Sequence, residues 1–265
     1  MKSKKLILPY LLWIFAFTVI PLVLVISNAC RDENGAFTLE FLKNALNYKQ
    51  EFFYSLWVAF ISTAICLVLA YPLSYFMARS SKRAQRTYSM LIMVPMWMNF
   101  LLRVRAWVLL LQNKGPIDSF LNMIGIDIPL MYNSGAVILG MVYEFLPFMI
   151  LPLYTVMGKI DKSLIEAAQD LGCSKFNVIR KVVFPLSVPG IISGITMVFV
   201  PTASTFLVSQ YLGGPNNMMI GDIIEKLYNS GDQHNASAIA LCLMAVILVF
   251  MIVMNRFGDE EAVGI

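Results

Sequence analysis

The segment DKSLIEAAQDLGCSKFNVIRKVVFPLSVP, from Asp161 to Pro189, is a charged stretch between two long apolar runs. Within it, Ser163 and Glu166 have the spacing of a capping box, in which each side chain accepts a hydrogen bond from the other residue's backbone N–H. A helix is therefore predicted to start there, and Gly172 suits the left-handed position that ends a helix. The apolar stripe of this short helix consists of Leu164, Ala168 and Leu171.

A second helix is predicted directly after the first. Ser174 is placed to cap it, and it runs through Lys175, Arg180 and Lys181 until Pro185, which cannot donate a helical hydrogen bond. Helices of fewer than about 12 residues are marginal alone in water, so the shorter first helix needs a surface to dock on.

The sequence Glu166-Ala167-Ala168, followed by Gly172 and Pro185, resembles the cytoplasmic EAA loop of permease subunits of bacterial ABC importers. The resemblance implies that residues 161–189 form a coupling loop whose helix sits in a groove of a separate ATP-hydrolysing subunit. The family usually has Ile and Leu at the positions that Val182 and Phe184 hold here, and both replacements keep apolar bulk. The alternative interpretation is an ordinary capped surface helix.

Composition assigns the chain to the membrane. Of its 265 residues, 58% are hydrophobic and only 14% are charged, which is too apolar for a soluble domain. The net charge of +4 comes from Lys and Arg clusters between apolar runs, so these residues report topology rather than a nucleic-acid partner. The four cysteines have no metal-ligand spacing, and no metal site is predicted.

Six apolar runs predict an all-α integral membrane protein with one transmembrane domain over residues 1–265. The first run is too long for the core of a signal peptide and is interpreted as a retained helix. The third run is barely long enough, and extending it requires Arg103 and Arg105 to snorkel or to face protein. An amphipathic helix is predicted from Ile220 to Tyr228. The approximate spans are 6–27, 52–77, 88–111, 136–157, 186–209 and 236–254.

The positive-inside rule predicts that both termini lie in the cytoplasm. Of the 20 Lys and Arg residues, 13 fall on the inner side of this topology and seven on the outer side. The inner set is Lys2, Lys4, Lys5, Arg79, Lys82, Arg83, Arg86, Lys159, Lys162, Lys175, Arg180, Lys181 and Arg256. This topology places residues 161–189 in the cytoplasm, where an ATPase would meet them.

No motif for an active site is present in the sequence, so the chain is not expected to be an enzyme. Gly158-Lys159 is followed by Ile160 and has Leu153 where a phosphate-binding loop needs its first glycine. There is no GxSxG or HExxH motif, and His234 is the lone histidine. The energy for any transport must therefore come from a partner or from an ion gradient.

Further segments resemble the spermidine/putrescine branch of the binding-protein-dependent transport permease family. The resemblance covers nearly the whole chain. The segments that carry it are Val94–Arg103, Lys114–Gly115, Val142–Tyr154, Asp161–Lys162, Leu171–Lys175, Pro185–Leu186, Pro189–Ile191, Gly213–Gly214 and Ile220–Gly221. It implies a six-span core, a second homologous permease, an extracytoplasmic polyamine-binding protein and an ABC ATPase dimer. It also implies that this chain binds no cofactor, because the ATPase subunits use the ATP and Mg.

Glu144 is the first candidate for a contact with substrate. It lies near the middle of its predicted span, where a charged side chain costs about 2.5–3.5 kcal/mol unless it is neutralised, paired or facing water. A polyamine cation is one candidate partner. The structural alternatives are a protonated carboxyl bonded to a neighbouring helix and an ion pair with Arg103 or Arg105.

Aromatic and polar residues extend the predicted substrate pathway, which comprises Trp97, Asn99, Glu144, Ser204, Thr205 and Tyr211. The rings of Trp97 and Tyr211 offer faces to an alkylammonium ion, although aromatic residues near span ends also act as interfacial anchors. The hydroxyls of Ser204 and Thr205 either face the pathway or bond to the backbone of their own helix. Pro201 predicts a gate or a static kink.

Polyamine import is therefore the function that the sequence and the resemblance favour. The first alternative is an ABC permease for another small solute, such as ferric iron, sulfate or an aminophosphonate. A gradient-driven carrier is the second, but it would usually show an internal repeat with ionisable residues at mid-membrane depth. A purely structural membrane subunit is the third.

Overall fold

The computed structural model describes residues 3–32 and 35–263, with side chains for residues 9–32 and 35–257. Lys2 and the side chains of Lys4 and Lys5, which the topology prediction used, lie outside this description. The described residues contain one isolated bridge, between Arg31 and Phe37, and are otherwise helical or irregular. Their α-helices are α1 (Ser3–Ile14), α2 (Ile20–Ala29), α3 (Glu40–Asn44), α4 (Lys49–Arg79), α5 (Lys82–Met93), α6 (Phe100–Leu111), α7 (Pro116–Met123), α8 (Ser134–Met157), α9 (Lys162–Asp170), α10 (Lys175–Val178), α11 (Phe184–Ser204), α12 (Ile220–Asn229) and α13 (Gln233–Val263).

Five continuous helical stretches in the described chain are long and apolar enough to cross a membrane. A sixth results if the bent pair Lys82–Trp97 and Phe100–Met123 is counted as one span. The prediction of an all-helical protein with multiple membrane spans is therefore confirmed, and α12 confirms the predicted amphipathic helix. The five stretches are Pro9–Ala29, Glu40–Arg79, Ser134–Met157, Lys175–Ser204 and Gln233–Phe257.

The third predicted span is broken rather than straight. After α5, a 3-10 turn over Val94–Trp97 leads to an extended Met98, and the two halves of the span are bent by 89°. The side chain of Asn99 then caps α6 by accepting the N–H of Leu101 at 2.9 Å. Pro95 and a capping asparagine thus divide the run into two helices, because one ends the first helix and the other starts the next.

The centre of the molecule is a three-helix core of α4, α8 and α11. Close approach at this core depends on small residues. A Cβ added to Gly140 of α8 would lie 2.7 Å from side-chain atoms of both Val208 and Leu212. A larger residue at position 140 therefore requires the side chains of Val208 and Leu212 to shift.

The helices of the core connect two opposite ends of the molecule. At one end, the Arg79 guanidinium donates hydrogen bonds to the carbonyls of Met157 and Ile160, which tie α4 to the chain that enters α9. At the other end, the Ile220 N–H donates to the Ser55 hydroxyl at 2.7 Å, which ties the start of α12 to α4. We refer to these as the α9 end and the α12 end.

Candidate functional site

At the α9 end, the N-cap of the short predicted helix is Asp161. Its carboxylate accepts the N–H of Ser163 at 3.0 Å, and α9 starts at Lys162. The predicted capping box between Ser163 and Glu166 is therefore wrong, because Asp161, two residues before Ser163, already accepts the Ser163 N–H. The same hydrogen bond, together with others near it, lowers the pKa of Asp161 below its ordinary value.

The predicted end of this helix is confirmed. Gly172 has a φ of +82°, and its N–H donates to the carbonyl of Gln169 at 2.8 Å. The N–H of Cys173 donates to the carbonyl of Ala168 at 3.1 Å, which completes a Schellman motif. Glycine tolerates this left-handed backbone because it has no Cβ, so Gly172 sets where the chain leaves α9.

The second predicted helix begins as expected at Ser174, whose hydroxyl accepts the N–H of Asn177 at 3.4 Å. The expectation that Pro185 ends it is wrong. The helix continues from Lys175 to Ser204 through a π-helical turn in which the Phe184 N–H bonds to the carbonyl of Ile179, five residues back. Pro185 follows in the first turn of α11, where a missing N–H is tolerated.

The outer side of α9 and α10 carries exposed apolar residues. Ile165 is 9% exposed and packs with Val178 against the bundle, whereas Leu164, Leu171 and Phe176 are 49%, 86% and 71% exposed. Of the predicted stripe, only Ala168 packs inward. Large exposed apolar groups on a short helix indicate a protein-binding surface. We call Leu164, Leu171 and Phe176 the α9 surface.

Deep in the bundle, Glu144 of α8 is 1% exposed and forms an ion pair with Arg103 of α6. The distance from Arg103 Nη2 to Glu144 Oε2 is 2.7 Å. The structure thus contains one of the two structural alternatives for this residue, an ion pair with a neighbouring helix. A buried pair of this kind neutralises both groups, so it joins α6 to α8.

The neighbouring arginine on α6 contacts a different element. Arg105 lies with its guanidinium carbon 4.2 Å from the centre of the Tyr211 ring, and its Nη2 donates to the Tyr211 hydroxyl at 3.2 Å. Tyr211 belongs to the π-helical turn Ser209–Gly213 that follows α11. The ring face predicted to meet an alkylammonium ion is therefore covered by a cation of the chain itself.

The other predicted pathway residues lie at two places, the bend before α6 and the end of α11. Trp97 is 78% exposed at the bend before α6, where the exposed Asn99 serves as the cap. The Ser204 hydroxyl donates to the carbonyl of Val200 at 3.1 Å, which is the backbone alternative raised for this residue. Thr205 is partly exposed where α11 ends.

One acidic residue with an unusual environment was missed by sequence reasoning. Asp222 lies in the first turn of α12, is 5% exposed, and accepts the Met219 N–H at 2.6 Å. The sequence signal was present, because an acid at the third position of a predicted helix is a capping pattern. Its burial was not predictable, since it depends on how α12 packs on the bundle.

The described geometry agrees with comparisons to known proteins. Residues 70–259 match the family described as "Binding-protein-dependent transport system inner membrane component". This chain belongs to the binding-protein-dependent transport permeases. It is therefore an inner-membrane transport component with multiple spans, and not an enzyme by family.

Several curated relatives of this permease carry the name spermidine/putrescine transport system permease protein PotB. The protein from Escherichia coli is 35% identical over 256 residues, which cover 92% of this chain and 93% of the relative. The protein from Haemophilus influenzae is 34% identical, with coverages of 90% and 88%. A PotB homolog of Mycoplasma genitalium is 31% identical, with coverages of 87% and 81%.

Solved structures support the permease fold. A chain from a bacterial ABC transporter involved in the import of the acidic polysaccharide alginate aligns with a TM-score of 0.77 at 17% identity, covering 97% of this chain and 95% of that one. A chain from the MetNI methionine ABC transporter aligns with a TM-score of 0.57 at 17% identity, covering 80% and 92%. At these identities the likeness concerns the fold alone.

Proposed function

We propose that this permease forms half of the membrane passage of an ATP-driven importer for polyamines, with spermidine and putrescine as substrates. The observation that carries the proposal is the 35% identity to a spermidine/putrescine permease over 92% of the chain. A second homologous permease completes the passage. An extracytoplasmic polyamine-binding protein delivers the solute, and two ATPase subunits bind the ATP and Mg.

The α9 surface is the proposed contact with the ATPase. It presents Leu164, Leu171 and Phe176 outward while Ile165 anchors α9 to the bundle. This arrangement can transmit movement between a partner and the bundle, because the helix has an apolar outer side for the partner and an inner side that packs on the bundle. In the proposed topology both termini and the α9 end are cytoplasmic, in agreement with the excess of Lys and Arg on that side.

The coupling residues proposed from the EAA pattern have distinct places in α9 and in its connection to α11. Glu166 and Ala167 are exposed, Ala168 packs on the bundle, and Gly172 ends the helix. Pro185 lies at the start of α11, directly after the π-helical turn. A displacement of α9 thus reaches α11, which is part of the central core, through a short continuous helix.

The bent third span and the segment after α11 are the proposed borders of the passage. Trp97 and Asn99 lie at the bend, and Thr205 lies where α11 ends. Backbone outside regular helix at membrane depth is tolerated only where it lines a cavity or is buried in protein. Because the Glu144 carboxylate is paired with Arg103, it is not a free anionic site for the amine in this arrangement.

The decisive experiment is solute-stimulated ATP hydrolysis by the full complex in liposomes, with the binding protein present. Spermidine, putrescine, sulfate and ferric iron are added in turn. We expect severalfold stimulation by a polyamine only. Stimulation by another solute alone, or by none of the four, would discard the polyamine assignment. A permease that binds no ATPase would contradict the importer itself.

The docking part of the proposal has a matched pair of variants on α9. Leu171→Asp places a charge on the α9 surface, and Gln169→Glu places one on an exposed position of the same helix outside that surface. We expect the first variant to lose solute-stimulated hydrolysis and co-purification with the ATPase, and the second to keep both. Equal behaviour of the two variants would remove the α9 surface from the contact.

A further inference from the structure

A cavity of about 500 Å³ lies at the α12 end, between the segment after α11 and the outer side of α12. Two carboxylates, one ring, two amides and one amine line it: Tyr132, Gln210, Asp222, Glu225, Lys226 and Asn229. None of the predicted pathway residues is among them. The cavity is therefore a second polar region, separate from the bend of the third span.

Asp222 is the buried acid of this cavity. One carboxylate oxygen accepts the Met219 N–H, whereas Oδ1 has no hydrogen-bond partner among the described residues. The Ser209 hydroxyl lies beside this carboxylate and lowers its pKa, but its single hydrogen is also directed at the carbonyl of Phe206, 3.0 Å away. Asp222 thus shares one hydroxyl hydrogen with Phe206, and an additional donor would satisfy the buried Oδ1.

Glu225 adds a second carboxylate one turn further along α12. It accepts hydrogen bonds from Asn229 at 2.9 Å and from Gln210 at 3.5 Å, which hold it at the cavity. Lys226 is exposed and forms no ion pair with either acid in the described part of the chain. Lys226 lines the same cavity, but neither carboxylate is within ion-pair distance of a cation among the described residues.

Tyr132 forms one wall of the cavity in a strained conformation. Its φ is +60°, which is uncommon for a residue with a large side chain. Its N–H donates to Leu212, its carbonyl accepts from Asn217, and its ring lies against Gly214, where an added Cβ would come within 2.9 Å of the ring. Backbone strain that is held by several contacts is typical of functional sites.

We propose that this cavity is a cation subsite that receives a protonated amino group of the transported solute, with Asp222 and Glu225 as acceptors and Tyr132 as an aromatic wall. An alkylammonium group has three donors, which suits an acid with an unpartnered oxygen beside a second carboxylate. The ring adds a cation–π contact. The inference rests on the proposed function, because it assumes that the solute carries amines.

Protonation makes the subsite sensitive to pH. Burial, more than any other cause, raises the pKa of Asp222 to about 6, and the charge of Glu225 acts in the same direction. Asp222 is therefore mostly ionised at neutral pH and loses its charge as the pH falls through 6. Amine affinity should weaken over the same range.

The test measures uptake of radiolabelled spermidine by the full complex in liposomes, for the wild type, Asp222→Asn, Glu225→Gln and the control Asp127→Asn. Asp127 is an exposed acid in the loop before α8 and lies outside the cavity. We expect Asp222→Asn to raise the apparent KM at least tenfold at pH 7, with a maximal rate within twofold of the wild type. At pH 5 its KM should approach that of the wild type.

The possible outcomes distinguish a failure of the proposed subsite from a failure of the proposed function. Wild-type uptake with an unchanged KM in both cavity variants would overturn the subsite and leave polyamine import intact. If Asp222→Asn does not assemble, Glu225→Gln decides, because that acid is not buried and its amide keeps an acceptor oxygen. If the wild type transports no polyamine, the proposed function fails, and the subsite with it.

Discussion

Among the described residues the two most deeply buried acids, Glu144 in α8 and Asp222 in α12, differ in what surrounds their carboxylates. Glu144 pairs with an arginine of a neighbouring helix at 2.7 Å, whereas Asp222 pairs with no cation of the described chain and lines a cavity. Each acid keeps one carboxylate oxygen without a partner, Oε1 of Glu144 and Oδ1 of Asp222. Both are at most 5% exposed. Burial alone therefore does not reveal the role of an acid. Its role depends on whether its partner is a side chain of the same protein or a group from outside it.

The ion pair of Glu144 is part of a set of contacts that attach α6 to the core. Arg103 and Arg105 are two residues apart on α6 and therefore point to different sides of the helix. One reaches Glu144 on α8 and the other reaches Tyr211 after α11. The two arginines thus attach the second half of the bent span to two different parts of the core.

The largest expected effect comes from breaking the buried pair. Arg103→Ala leaves the Glu144 carboxylate buried without a counter-ion, which typically costs about 3–5 kcal/mol. We expect the variant to unfold at much lower denaturant concentration in detergent, or to fail to assemble. The double variant Arg103→Met with Glu144→Leu should recover most of the lost stability, because two apolar side chains leave no unpaired charge.

A different result would change the comparison itself. If Arg103→Ala were as stable as the wild type, the ion pair would not hold α6 to α8, and Glu144 would return as a free acid for the substrate. A double variant as unstable as the single one would point to a role of the pair beyond charge neutralisation.

An effect of intermediate size concerns Asp222 and pH. Its folded pKa of about 6 lies above the ordinary value of 3.8, so its contribution to stability is present below pH 3.8 and is lost as the pH rises through 6. The full difference is about 3 kcal/mol, from 1.36 kcal/mol per pH unit. The Tm of the wild type should therefore fall, relative to Asp222→Asn, between pH 5 and pH 7.

The measurement is a pair of thermal unfolding curves for the purified complex at each pH. A Tm difference that stays constant from pH 5 to pH 7 would mean that Asp222 is not desolvated in the folded protein. Spermidine added at pH 7 should restore part of the wild-type Tm and leave Asp222→Asn unchanged, because a ligand stabilises the state that it binds.

Much of the fold was predictable because it depends on local sequence. The apolar runs predicted the long helices, Gly172 predicted the end of α9, and Ser174 predicted the cap of α10. These features follow from side chains that act within one turn of their own position. The same reasoning identified Arg103 as a candidate partner for Glu144, since an acid at that depth needs a counter-ion.

The remaining features depend on competition between neighbours or on tertiary packing. Asp161 displaced Ser163 as the cap of α9, and a π-helical turn allowed the helix to continue past Pro185. The 89° bend of the third span and the burial of Asp222 both result from contacts between distant segments. No pattern within a short window contains that information.

The smallest expected effect is at Arg105, which contacts an aromatic ring at an exposed position rather than a buried carboxylate. The Arg105–Tyr211 contact combines a cation–π interaction at 4.2 Å with one hydrogen bond, and exposed contacts of this type are worth about 0.5–1 kcal/mol. A double-mutant cycle with Arg105→Gln and Tyr211→Phe, followed by chemical unfolding, measures the coupling free energy between the two side chains.

The Arg105→Gln variant also uncovers the Tyr211 ring, so its KM for spermidine should be equal to or lower than that of the wild type. A coupling free energy as large as that of the buried Arg103–Glu144 pair would show that solvent does not weaken the Arg105–Tyr211 contact.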